Sequence, residues 1–182
     1  MMSKELVIKE IHDLFEAAIL ALFESLGCKI KRILEPPYEL DDVPLASMDA
    51  GSHDIEVMMF IGMPLPVLSL TYPSSFEHII DVDESQLEEW IPELANQLMG
   101  KLKNKLILRG CNLQMGLPNC YFGQRLSEVL PDGYDHATFC FDSDGEIFEC
   151  CLSINIFNEN MELSQDNEPT DSGPGDGELE LF

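Results

Sequence analysis

The sequence predicts an α+β domain in which an antiparallel β-sheet made of hairpins has two long α-helices packed on one face. Two segments, residues 4–26 and 85–109, carry apolar residues at intervals of three and four, as amphipathic helices do. The short segments between and after them alternate apolar and polar side chains and are separated by Gly, Pro and Asp, which is typical of strands joined by turns.

The first half of the chain contains the first helix and the first strands. Gly27 ends the helix, because glycine readily takes the left-handed conformation that closes a last turn. A strand is predicted over residues 28–34 and a loop over residues 35–52, which contain Pro and acidic residues. Residues 54–62 alternate clearly, and we expect them to form a hairpin with a strand over residues 67–72.

The second long helix is predicted over residues 85–109. Ser85 and Glu88 have the spacing of a capping box at its start. Pro92 lies inside the pattern and predicts a kink or break near Glu88, whose carbonyl a proline cannot bond. The residues of the predicted buried stripe are Leu87, Ile91, Leu94, Leu98 and Leu102.

Four further strands are predicted, over residues 111–115, 119–122, 136–142 and 146–157. The last two flank Asp144-Gly145, a dipeptide typical of a two-residue hairpin turn. With that turn, Cys140 lies opposite Glu149, so Cys140 and Cys150 point to opposite faces and cannot form a disulfide.

The domain is predicted to span residues 1–157, followed by a disordered acidic tail over residues 158–182. This last segment contains no Lys or Arg and few apolar residues, so it has little surface to bury in exchange for its conformational entropy.

Composition excludes several classes of function. The chain has 34 acidic and 10 basic residues and a formal net charge of −24, which opposes binding to nucleic acid or to an anionic membrane surface. Its apolar runs are too short to span a membrane, and we expect a cytoplasmic protein. The six cysteines form no CxxC pair and the four histidines are scattered, so no metal site and no cofactor of its own are expected.

One face of the second helix carries a row of polar residues that is interrupted by a glycine. At about 100° per residue, Glu93, Asn96, Gly100 and Lys103 all lie within about 40° of the direction of Glu89, opposite the buried stripe. A glycine inside a helix costs about 1 kcal/mol relative to alanine. An exposed one is explained if another backbone approaches there, whereas Glu93 and Asn96 alone are equally compatible with an ordinary solvated surface.

The stretch Glu93-Leu-Ala-Asn96-Gln-Leu-Met-Gly100, followed by Lys103, resembles the signature helix of the CheC, CheX and FliY phosphatases of bacterial chemotaxis. Pro118 is similar to the proline that follows this helix in that family. The single copy of the E-x-x-N pattern and the order of elements resemble CheX in particular, which implies a CheX-like fold and a homodimer.

The resemblance implies a phosphatase that hydrolyses the phospho-aspartate of a CheY-like response regulator. Asn96 would orient the attacking water, Glu93 would anchor the receiver domain, and the Mg²⁺ would belong to the partner. The residues expected to contact the partner are Glu89, Gly100, Lys103 and Pro118. The alternative is a non-catalytic dimeric adaptor that binds a receiver domain or another signalling partner, its site distorted by Pro92.

Overall fold

A computed structural model describes residues 3–73 and 83–165, and these ranges form four helices and seven strands. The predicted α+β class is confirmed. In chain order the elements are α1 (Lys4–Ser25), β1 (Lys31–Ile33), β2 (Leu45–Gly51), β3 (Ile55–Gly62), α2 (Leu65–Thr71), α3 (Glu84–Leu108), β4 (Gln114–Met115), β5 (Asn119–Tyr121), α4 (Leu126–Val129), β6 (Asp135–Ser143) and β7 (Glu146–Ile156).

The strands form one antiparallel sheet in the order β1-β6-β7-β3-β2-β4, and β5 also pairs with β2. The predicted β6–β7 hairpin is confirmed: Asp144 and Gly145 both have positive φ, and Cys140 lies opposite Glu149. Cys150 therefore faces the other side of the sheet from Cys140, and all six cysteines are free thiols.

Helices α1 and α3 pack against each other and cover one face of the sheet, α1 over β6 and β7 and α3 over β2 and β3. Apolar side chains from both layers fill the space between them, and burying each large one contributes roughly 1.5–3 kcal/mol. The largest fully buried side chains of this core include Phe15, Phe23, Ile19, Met59 and Phe148. We call the opposite side of the sheet the outer face; α4 partly covers it, with Leu126 packed on Leu45 and Phe60.

The predicted partner of β3 is wrong. Its neighbours are β7 and β2, and β2 lies in the segment predicted as the loop 35–52. Both faces of β2 are largely buried, so its sequence does not alternate between apolar and polar residues. The predicted strand 67–72 is instead part of α2, because Pro64 and Pro66 suit a helix start and cannot donate to a β-ladder.

The predicted break at Pro92 is also wrong, because α3 runs without interruption from Glu84 to Leu108. The helix starts earlier than predicted, with Asp83 as the N-cap and Gln86 completing the capping box in place of Ser85 and Glu88. Pro92 removes one hydrogen bond, but the apolar residues buried on both sides of it stabilise the helix, which continues past it.

Residues 158–165, which the sequence analysis assigns to the tail, pack against the domain. Leu163 is 7% exposed, the Ser164 N–H donates to the Arg109 carbonyl over 2.8 Å, and Asn158 Nδ2 donates to Asp54 Oδ1 over 2.7 Å. The packed domain therefore extends beyond residue 157. The rest of the predicted tail, residues 166–182, lies outside the described residues.

Candidate functional site

Helix α3, which carries the candidate residues, is fixed at both ends. Near its start, Trp90 Nε1 donates to Thr71 Oγ1 of α2 over 3.0 Å, and the Trp90 ring makes an edge contact with Tyr72. After its last turn, Arg109 Nη1 donates to Glu10 Oε1 of α1 over 2.6 Å, and both side chains are largely buried. These contacts make the helix a rigid support for the side chains on its outward side.

The outward ridge that the helical wheel predicts is present. Glu89, Glu93 and Asn96 are exposed, and Gly100 is partly exposed, on the side of α3 opposite its buried residues. We refer to these four residues as the α3 ridge. Removing the side chain of Glu89, Glu93 or Asn96 opens no cavity, so packing does not require these residue types.

Glu93 and Asn96 differ in how they are held. Glu93 Oε1 accepts a hydrogen bond from Gln97 Nε2, one turn further along the helix, over 3.2 Å. Asn96 has no hydrogen-bond partner among residues 3–73 and 83–165, so its amide remains able both to donate and to accept. The ridge therefore presents an oriented carboxylate beside an uncommitted amide, one turn apart.

Gly100 has no structural explanation within residues 3–73 and 83–165. A Cβ atom built at this position meets no heavy atom of these residues within 4 Å, and its backbone does not have the positive φ that favours glycine. The chain thus keeps a residue that weakens α3 where a side chain would fit.

The remaining predicted contact residues are placed differently. Lys103 is half-buried on α3, one turn beyond Gly100. Pro118 is not on the helix but in the β4–β5 turn, which the Gly116 N–H fixes by donating to the Asp49 carbonyl of β2 over 2.8 Å. Because β5 also contacts α3, this turn lies at the sheet edge nearest that helix.

Sequence reasoning missed two exposed apolar residues near β5. Leu117 is 81% exposed in the β4–β5 turn, and Phe122, just after β5, is 58% exposed. Phe122 also lines a cavity of about 360 Å³ beside the start of α3, together with Glu84, Glu88 and Leu65. The sequence Gly116-Leu117-Pro118 could have indicated the exposure of Leu117, because Gly and Pro are typical of turns and a leucine between them lies at the tip of the turn.

Neither a metal cluster nor a membrane-spanning helix is found in the part of the chain that the structure describes. No group of three or more His, Cys, Asp or Glu side chains there is arranged to hold a metal ion. None of the described helices is long and apolar enough to cross a membrane.

The domain has a CheX-like fold. It is similar to the crystal structure of the chemotaxis protein CheX from Vibrio vulnificus, with a TM-score of 0.68 and 11% identity over 80% of this chain and 99% of that chain. It is also similar to a CheC-like superfamily protein from Shewanella sp. PV-4, with a TM-score of 0.62 and 14% identity over 80% of this chain and 97% of that one.

A third similar structure is the CheX–CheY–BeF₃–Mg²⁺ complex from Borrelia burgdorferi, with a TM-score of 0.59 and 16% identity over 79% of this chain and 96% of that one. The sequence itself matches no family model and no curated protein. The similarity therefore lies in the three-dimensional fold, on which the α3 ridge is displayed.

Proposed function

We propose that this protein is a phosphatase that removes the phosphoryl group from the phospho-aspartate of a CheY-like response regulator. The observation that carries the proposal is the α3 ridge, where Glu93 and Asn96 are exposed and Gly100 is partly exposed on the long helix of a CheX-like fold. The complex of a similarly folded CheX with CheY supports a receiver domain as the partner.

The reaction needs little from the phosphatase beyond positioning. Water attacks phosphorus, the bond between phosphorus and the aspartyl oxygen breaks, and the products are the aspartate carboxylate and inorganic phosphate. The receiver supplies the Mg²⁺ that balances the phosphoryl charge. Asn96 orients the water, since its amide oxygen can accept a hydrogen bond from the water and its NH₂ group can donate to a neighbouring oxygen, with no proton transferred to the amide.

Glu93 fixes the register of the two proteins. Its carboxylate lies one helical turn from Asn96, about 5–6 Å away on the helix surface, and can pair with a lysine beside the phosphorylated aspartate. The hydrogen bond from Gln97 engages Oε1 and leaves lone pairs on both oxygens for that contact. Gly100 lets the receiver backbone approach, with Glu89, Lys103 and Pro118 bordering the contact.

Phosphate release from the phosphorylated cognate receiver tests the proposal. The wild-type protein should accelerate release, whereas Asn96→Ala should bind the receiver without accelerating hydrolysis. Glu93→Ala should lose both binding and activity, because it removes the anchoring charge. Asn104→Ala is the matched control, an exposed asparagine of α3 about 12 Å further along the helix axis.

Two results would contradict this mechanism. Full activity of Asn96→Ala would remove the water-orienting role, and a melting temperature well below that of Asn104→Ala would show that Asn96 is structural. Binding without any acceleration by the wild-type protein would instead favour the adaptor hypothesis. The continuity of α3 through Pro92 supports the catalytic hypothesis, because Pro92 does not break the helix that carries Glu93 and Asn96.

A further inference from the structure

The outer face of the sheet contains a cavity unrelated to the α3 ridge, which lies in the helical layer on the other side. It measures about 550 Å³, within the range of sites for small molecules. The segment between β1 and β2 and the residues around α4 form its walls, and outward-facing residues of β6 and β7 form its floor. Its apolar lining includes Pro37, Leu126, Leu130 and Ile147.

A single carboxyl group lies in the floor of this cavity. Glu149 of β7 is flanked in the sheet by Cys140 of β6 and Gly62 of β3. A Cβ atom at Gly62 would clash with Leu45 Cδ2 at 2.8 Å and would lie at an ordinary contact distance, 3.4 Å, from Glu149 Cγ.

The charge of Glu149 is not compensated within the described part of the chain. Arg125 lies at the cavity wall, but its Nε and Nη2 donate to the two oxygens of Asp41 over 3.1 and 3.2 Å. Glu39, whose carboxylate lies 3.9 Å from Arg125 Nη1, adds negative charge on the same side. Burial, and secondarily the charge of Glu39, raise the pKa of Glu149 to about 7.

We propose that this cavity binds a small organic cation, with an ammonium or amidinium group paired to Glu149 and an apolar body against Leu126, Leu130 and Ile147. An anion is disfavoured, because Arg125 is already neutralised and two carboxylates remain. A neutral apolar ligand is disfavoured as well, because it would cover the Glu149 carboxyl without giving it a partner. Binding here does not depend on the phosphatase proposal.

The ionised form of Glu149 is the one that pairs with a cation, so affinity should rise with pH between about 6 and 8. The other groups facing Glu149 do not reverse this sign. Arg125 stays positively charged, because its hydrogen bonds to Asp41 raise its pKa. Cys140 stays a neutral thiol, because burial and the Glu149 charge raise its pKa.

Calorimetric titration of the full-length protein with benzylammonium, benzyl alcohol and benzoate tests the proposal. Benzylammonium should bind saturably with roughly millimolar affinity, as expected for so small a ligand, and more tightly at pH 8 than at pH 6. Glu149→Gln should weaken that binding about tenfold or more and remove its pH dependence. Glu146→Gln, an exposed position on the same strand, should bind as the wild type does.

A second variant tests the cavity itself. Ser127 is exposed at the cavity wall, and Ser127→Phe should block benzylammonium while leaving Glu149 in place. The proposal is overturned if benzyl alcohol or benzoate binds as well as benzylammonium, if Glu149→Gln binds like wild type, or if benzylammonium does not bind saturably. Thermal melting of each variant confirms that a loss of binding is not a loss of folding.

Discussion

Replacing Gly100 by alanine should stabilise this protein. A Cβ atom there meets no heavy atom of the described part of the chain within 4 Å, so the added methyl group neither clashes nor gains packing with it. What remains is helix propensity, which favours alanine over glycine by about 0.8–1 kcal/mol in a helix interior. For a domain of this size, that difference raises the melting temperature by about 2–4 °C.

Urea unfolding followed by far-ultraviolet circular dichroism measures this change. The midpoint should rise while the dependence of the unfolding free energy on urea stays constant. Gly110→Ala is the matched control just beyond the same helix: Gly110 has a φ of +77°, and a Cβ there would lie 3.0 Å from Ser164 Oγ. That variant should lose about 1–2 kcal/mol. A lower midpoint for Gly100→Ala would refute the reasoning, because it would mean that this position is packed or not regularly helical.

The same residue tests the docking of the receiver. If a backbone approaches Gly100, alanine should reduce phosphatase activity and leucine should abolish it, although both strengthen the helix. Stability and activity would then change in opposite directions. A fully active Gly100→Leu variant would show that nothing approaches this part of the α3 ridge.

Three further predictions concern other parts of the molecule. The folded protein keeps the Glu149 proton to a higher pH than the unfolded chain does, so this group's contribution to the free energy of unfolding is lost as pH rises from about 4.5 to 7. Glu149→Gln should remove that pH dependence. After allowing for the partial exposure of Glu149, the variant should raise the free energy of unfolding by up to about 2 kcal/mol at neutral pH. Equilibrium denaturation at several pH values would measure it, and an unchanged pH profile would contradict it. Truncation after Gln165 should leave the melting temperature almost unchanged. Truncation after Phe157 removes the buried Leu163 and should lower the melting temperature by several degrees. Equal melting temperatures of the two truncated proteins would show that residues 158–165 do not contribute to stability. The protein should be a homodimer joined through a sheet edge, since unpaired edges tend to be covered; light scattering at tens of micromolar would contradict this if it gave the mass of a monomer.

The elements that the sequence predicted well are those set by local chemistry. The periodicity of α1 and α3 predicts both helices and the direction of the α3 ridge, because a long buried stripe dictates which side faces outward. The Asp144-Gly145 turn fixes the register of β6 and β7, because the φ values it takes are open to few other residues.

The errors arise where the tertiary structure overrides a local pattern. The residues of β2 have no alternation to detect, because α3 covers one face and other chain segments cover most of the other. The apolar residues of α2 favour a strand when considered alone, but Pro64 and Pro66 lie at the start of a helix in the structure. Pro92 predicts a break, but the free energy of burying the stripe around it exceeds the cost of one lost hydrogen bond.

The sequence by itself determined the α+β class, the two long helices and the outward row of Glu93, Asn96 and Gly100, because each depends on residues within a few turns of one another. Only the tertiary structure decided that Glu149 lies in the floor of a cavity, since that depends on the register of β7 against β3 and β6 and on a distant segment closing over it. Contacts between residues far apart in the chain are specified by the packing of the whole sheet, and no local pattern encodes them.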